Sequence, residues 1–183
     1  MGKIKLYPKV KLITSIFTNN LNLLDEAINC LRDRFGEIDS ETDLLPFEFT
    51  KYYSKEFGTN LKRKIISFKE LISADDLVSI KLYTNNLEEI LSEAEQGKRK
   101  INLDPGYICT DKLILATTKD RSHRIYLGQG IFGEVTLKYT NGHFEPWKWT
   151  YKSYQSEDHL DFFLQVRKIY MKQLKEMDVA EKV

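Results

Sequence analysis

Asp104 stands in "INLDPGY", and Lys112, Lys119, Arg121, His123 and Arg124 follow it within twenty residues. A carboxylate at the end of a strand can act as a general base or hold a divalent metal. Basic side chains at this density suit phosphate or carboxylate, Arg through its planar fork and Lys as a point charge. The pattern points to a small phosphorylated or nucleotide-like ligand. Asp104 and His123 are the catalytic candidates. Asn85, Lys112, Lys119, Arg124 and Glu134 are the ligand-binding candidates. Each has a plainer reading. Asp-Pro-Gly also makes a turn in which Asp bonds its own backbone. The basic run also suits a solvated loop, and Glu134 suits an ion pair with one of these bases. Strict alternation in "HRIYL" sends His123 and Ile125 to one face and Arg124 and Tyr126 to the other, so the bases are not all expected to converge.

A second candidate is "RIYLGQGIFGEVTLKY", in which Gly128, Gly130, Gly133 and Val135 match G-x-G-x-x-G-x-V. In a kinase such a loop closes over ATP phosphates and needs a downstream Lys, a catalytic-loop Asp and a metal-binding Asp. Lys148 lies at a suitable distance, but neither H-R-D nor D-F-G occurs, and no helix is expected to start at the loop. The glycines therefore read as a tight turn with close packing between strands. The stretch "EPWKWTYKSY" sets Trp147, Trp149, Tyr151 and Tyr154 close together. Such rings could stack bases, which gives the alternative reading of a non-catalytic module for RNA or a protein partner. They also suit core or hairpin packing. His123, His143 and His159 lack metal spacing, no Cys pair and no G-x-S-x-G occurs, and there is no zinc signature.

The elements that must position these groups follow from patterning. Val10–Thr18 is apolar and β-branched, a buried strand. Asn22 is expected to cap a helix whose buried face is Leu24, Ala27, Ile28, Leu31 and Phe35, with Gly36 just past its end. Pro46–Thr50 and Lys62–Phe68 read as strands, and Ser73 with Asp75 and Asp76 as a short helical turn. "VSIKLYT" alternates and predicts a strand with Ile80 and Leu82 buried and Lys81 exposed. One long helix over 73–96 is the competing reading. Asn86 then caps a helix ending at Gly97, and "KINLD" is a strand, which together predict a parallel βαβ crossover with Asn85 and Asp104 at one sheet edge. Residues 110–119 fit a two-turn helix or a strand. "HRIYL" and "EVTLKYT" are strands, Asn141-Gly142 is a hairpin turn, and "SEDHLDFFLQVRKIYMKQLKEM" is an amphipathic helix. The expected fold is α+β and a single domain over 1–183. Its first half has a ferredoxin-like split βαβ order with an extra strand. Its second half is mainly antiparallel and ends in the amphipathic helix.

Twenty-eight basic residues balance 27 acidic ones, which argues against extensive nucleic-acid wrapping. No apolar run is long enough to span a bilayer, so no membrane partner is expected. Two cysteines are too few for a disulfide framework, which suits the cytoplasm.

"TKYYSKEFG", "IKLYTNNLE", "INLDPGY", "KLILATTKDRSHRIYLGQGIFGEVTL" and "WTYKSY" together resemble domain of unknown function family 4416. This is a prokaryotic family whose members often carry the label "GTP-binding protein". The resemblance covers nearly the whole chain, with Ser153 standing where the last motif usually has Asp. It implies a single cytoplasmic domain. It draws attention to Asn85, Asp104, Lys119, His123, Arg124 and Glu134, and it brings no established activity with it. The GTP label finds no counterpart in these residues, since Walker A and N-K-x-D are both missing, and specific GTP binding is not expected.

Overall fold

A computed structural model describes residues 2, 4–47, 57, 59–92 and 99–180. Its strands are β1 (Val10–Thr18), β2 (Ile38–Glu41), β3 (Leu45–Pro46), β4 (Lys62–Ile72), β5 (Ile101–Ile108), β6 (Lys112–Thr117), β7 (Arg124–Gly128), β8 (Ile131–Thr140) and β9 (His143–Pro146). The helices are α1 (Leu21–Phe35), α2 (Leu77–Ser92) and α3 (Glu157–Ala180), with 3-10 turns at Ala74–Asp76 and Lys152–Tyr154. All nine strands join one sheet in the order β2-β4-β1-β5-β6-β8-β7, with β3 on β4 and β9 on β8.

Every pairing is antiparallel. The expected parallel neighbours are therefore corrected. β4 and β5 do run the same way, but β1 lies between them and is antiparallel to both. The connection through α2 skips a strand, which is the split βαβ arrangement. The second half is a set of antiparallel strands, β6 to β9, closed by α3.

Alternation along β1 divides the core. Leu12 and Ile16 pack with Leu24 and Leu31 of α1 and with Leu87 and Leu91 of α2. Ile13 faces the other way and packs with Phe163 and Val166 of α3. Each such side chain contributes about 1.5–3 kcal/mol when fully buried. α3 also sews the two halves together. Tyr170 Oη donates to Lys9 O at 2.8 Å, Gln173 Nε2 to Lys69 O at 2.7 Å, and Arg167 Nε to Thr110 O at 2.9 Å.

Several local expectations are corrected. The cap of α1 is Asn20, not Asn22. Its side chain accepts from the backbone N–H of Asn22 at 3.0 Å, while Gly36 at φ +91° ends the helix as expected. Residues 78–84 are helical, so the strand is wrong; the competing helix over 73–96 is matched by α2 over Leu77–Ser92 after the 3-10 turn, with 93–96 outside the described residues. Leu77, Ile80, Lys81, Thr84, Leu87, Glu88 and Leu91 form one buried stripe. That 3.6-residue period runs for sixteen residues and outweighs seven residues of alternation. Asn86 consequently lies inside α2 and caps nothing. Lys81 is 4% exposed, against the expectation that it faces water. Asp104-Pro105-Gly106 is not a turn but part of β5, opposite Ser15, Thr14 and Ile13. Residues 112–117 are strand, which settles the 110–119 ambiguity. The strand expected at Pro46–Thr50 is β3, Leu45–Pro46, with 48–50 outside the described residues, where most of "TKYYSKEFG" and Gly97 also lie.

Asn141 and Gly142 both have positive φ and form the β8–β9 hairpin. The glycine loop is likewise a hairpin turn. Gly128, Gln129 and Gly130 all have positive φ between β7 and β8, and a Cβ on Gly133 would stand 3.1 Å from Leu127 Cδ1.

Candidate functional site

The sheet carries a seam. β1 and β5 share eight paired positions, but β6 pairs with β5 only at Gly106, Tyr107 and Ile108. A Cβ on Gly106 would lie 2.2 Å from Ile114 O, so the strands are in tight contact where they begin to part. Beyond that point no described strand pairs with Ile101–Pro105 on its β6 side. Polar side chains of α2 take the place of the missing strand. Glu88 Oε1 accepts Leu103 N–H at 2.6 Å, and Lys81 Nζ donates to Leu103 O at 2.8 Å. A buried backbone edge needs such partners.

A cavity of about 660 Å³ opens where β5 and β6 diverge. One wall comes from β5 and α2 and carries Lys81, Asn85, Arg99, Asn102 and Asp104. On this wall Lys81 Nζ lies 3.3 Å from Asp104 Oδ1, and Asn102 Nδ2 donates to Asp104 Oδ2 at 2.7 Å. Arg99 Nη1 is 3.1 Å from Glu88 Oε2. Burial pushes the Glu88 carboxyl above its ordinary range, against the pull of Lys81 and of the Leu103 N–H. Asn85 makes no side-chain hydrogen bond among the described residues.

The opposite wall comes from the end of β6, the loop after it, and β8 and β7. Leu115, Glu134 and Arg124 are direct partners across these three strands, so their side chains share a face. Arg124 Nε donates to Glu134 Oε2 at 2.8 Å, with both side chains 4% exposed or less. Arg124 Nη1 donates to Lys119 O at 2.8 Å and Nη2 to Tyr151 Oη at 3.4 Å. Burial disfavours the Arg124 charge, but Glu134 and Tyr151 outweigh it and raise its pKa. Lys119, Arg121 and Lys152 complete the cationic rim.

The floor is aromatic. The Arg63 guanidinium lies 4.0 Å from the Phe47 ring centre and 5.0 Å from that of Tyr154. Burial pushes the Tyr154 phenol up to about 12, with Arg63 opposing.

Among the sequence candidates, Asn85, Asp104, Lys119, Arg124 and Glu134 all line this one cavity. Asn85 and Asp104 thus share a cavity, but Asn85 comes from α2 and Asp104 from β5, not from the ends of two parallel strands as expected. His123 does not line it. Its Nε2 is 3.1 Å from Glu134 Oε2 and its ring stacks on Trp149. His123 precedes β7 and so escapes the alternation that was expected to part it from Arg124; both reach the same carboxylate oxygen. Lys112 begins β6, at the end opposite the cavity, and pairs with Asp111 at 3.0 Å.

Lys81, Arg63, Arg99, Asn102 and Lys152 are cavity residues that sequence reasoning missed. Lys81 was findable, because a helical stripe through Leu77, Thr84 and Leu91 includes it. Arg63 shares the parity of Ile65 on β4, an inward position for a cation. Trp147 and Trp149 are partly exposed and nearly parallel, with ring centres 5.1 Å apart, and Lys138 lies 5.3 Å from Trp147. Among the described residues no group of three His, Cys, Asp or Glu side chains could hold a metal ion. No described helix is long and apolar enough to cross a membrane.

The ordered motifs, the split βαβ half and the seam cavity belong to one continuous stretch of chain. No curated protein and no solved structure matches it. The family model described as Domain of unknown function (DUF4416) matches residues 8–170, and the chain belongs to that family.

Proposed function

We propose that the seam cavity binds a small phosphorylated or nucleotide-like ligand. One observation carries this. Seven cations line the cavity against two carboxylates, Asp104 and Glu134, in a chain whose net charge is only +1. Concentrating one sign of charge in a cleft focuses the field on an incoming ion. The volume falls in the range of small-molecule sites. Asp104 is the acid–base group on the ligand side. A hydroxyl placed against it stands where the carboxylate can take its proton, as a general base does. His123, turned to Glu134 and Trp149, serves in this proposal to position Glu134 and through it Arg124. The Trp147–Trp149 pair supports packing rather than base stacking, since Trp149 already stacks on Trp147 and His123. The two cysteines are free, which suits a cytoplasmic setting.

The test is thermal unfolding with inorganic phosphate, pyrophosphate, sugar phosphates and nucleotides at low salt. At least one anion should raise Tm saturably, by the equivalent of about 2.7 kcal/mol at a hundred times its Kd. Arg121→Glu should abolish the shift. No shift with any anion, or a shift that survives Arg121→Glu, refutes the proposal.

A further inference from the structure

The cavity is polarised. On the β5–α2 wall each cation has a carboxylate partner: Lys81 has Asp104 and Arg99 has Glu88. Arg124 has Glu134. Arg121 and Lys152 have no carboxylate partner among the described residues, and both are exposed at the rim. The loop after β6 and the 3-10 turn therefore each bring an uncompensated cation to the cavity.

At the other end Asp104 keeps acceptor capacity. Lys81 occupies one oxygen and Asn102 the other, while a carboxylate has about four acceptor positions. The side chain is 32% exposed. Asn85, lining the same cavity, offers an amide that makes no hydrogen bond of its own among the described residues, with both donors and an acceptor. A hydroxyl both donates and accepts, so a pair of hydroxyls satisfies Asp104 and Asn85 together. A phosphate would be repelled by Asp104 and held by Arg121 and Lys152, and that contrast sets the orientation.

We propose that the occupant is a phosphorylated polyol, a carbohydrate phosphate monoester. Its phosphate lies on Arg121 and Lys152 and its hydroxyls on Asp104 and Asn85. This rests on the anion-site proposal above and names the ligand class for the same site. The shared chemistry is a hydroxylated carbon chain bearing one phosphate, whether a free sugar phosphate or the ribose phosphate of a nucleotide.

Calorimetric titration of the whole chain tests it, with n-butyl phosphate, ribose 5-phosphate and AMP as probes. Ribose 5-phosphate should bind about tenfold or more tightly than n-butyl phosphate, because a site built to bond hydroxyls rejects an analogue that lacks them. Asp104→Asn should erase that gap while n-butyl phosphate still binds. Arg121→Ala with Lys152→Ala should weaken both esters by a similar factor. AMP binding more tightly than ribose 5-phosphate assigns the ribonucleotide source, and weaker binding assigns the free sugar phosphate. If Asp104→Asn does not fold, Asn85→Ala reads the same gap. Equal binding of n-butyl phosphate and ribose 5-phosphate, or a gap unchanged in Asp104→Asn and Asn85→Ala, overturns the polyol assignment and leaves the anion site standing. Failure of all three probes to bind overturns the assignment. Whether the anion site itself falls is decided separately by the wider anion panel and Arg121→Glu.

Discussion

Lys81 Nζ lies 3.3 Å from Asp104 Oδ1 and 2.8 Å from Leu103 O, so one ammonium joins α2 to the unpaired edge of β5 and fixes the cavity carboxylate. Lys81→Met keeps the length of the stem and removes the charge. It should cost about 2–3 kcal/mol, the scale of hydrogen bonds to a charged group. Asp104→Asn should cost about 1 kcal/mol, because Lys81 keeps Leu103 O and the new amide still offers an oxygen. Urea unfolding of both single variants and the double variant checks this. Strictly additive losses would show that the pair is not coupled.

Arg124 and Glu134 form a buried cross-strand pair. Arg124→Ala takes the guanidinium from the buried Glu134 carboxylate, leaving it His123 Nε2 at 3.1 Å, and should cost about 3 kcal/mol. Adding Glu134→Gln should recover a large part of that loss. Chemical denaturation decides. A loss under about 1 kcal/mol in Arg124→Ala would mark the pair as solvated.

His159 is 2% exposed, and burial, with the nearby Arg63 charge, pushes its pKa down to about 4. The unfolded chain takes up the His159 proton near pH 6.5 while the fold resists it. Stability from this group is complete above that pH and falls as pH drops toward 4. The loss amounts to about 3 kcal/mol over the window. His159→Gln should flatten the difference curve between pH 6.5 and 4. The comparison with the parent protein cancels the carboxylates, which both proteins share. Parallel curves for the two proteins would contradict the assignment.

Two glycines should respond differently to alanine. Gly106→Ala drives a methyl into Ile114 O and Leu115 Cδ2 and should cost about 2–4 kcal/mol through overpacking. Gly128→Ala meets open space but must hold φ near +117°, a strain of about 1–2 kcal/mol. Thermal unfolding ranks them, and the reverse order would place the tight contact elsewhere.

The α+β class, the split βαβ half and the antiparallel second half were readable from residue types and local pattern, and five of the seven candidate residues line one cavity. What sequence could not supply was register. β6 leaves β5 after three paired positions, and no single residue of either strand announces that. The cavity follows from the parting, so Arg63, Arg99 and Lys152, scattered through the chain, could not be assembled beforehand. Lys81 was hidden for another reason. A window of seven residues satisfies both the period of two and that of 3.6, and tertiary packing of the whole helix decides between them. His123 was misplaced because alternation was extended one residue beyond the strand that enforces it.

α3 follows every described strand, yet its contacts reach back to Lys9 and Lys69. On the ribosome, β1, β4 and β5 emerge with α1 and α2, which can cover the sheet face bearing Leu12 and Ile16 at once. Ile13, Ile65 and Ile108, on the other face, stay wet until Phe163 and Val166 leave the exit tunnel. Synthesis thus passes through a half-covered sheet, the kind of intermediate that aggregates or recruits a chaperone. Pausing translation before residue 157 would lengthen its life, and release of α3 would end it.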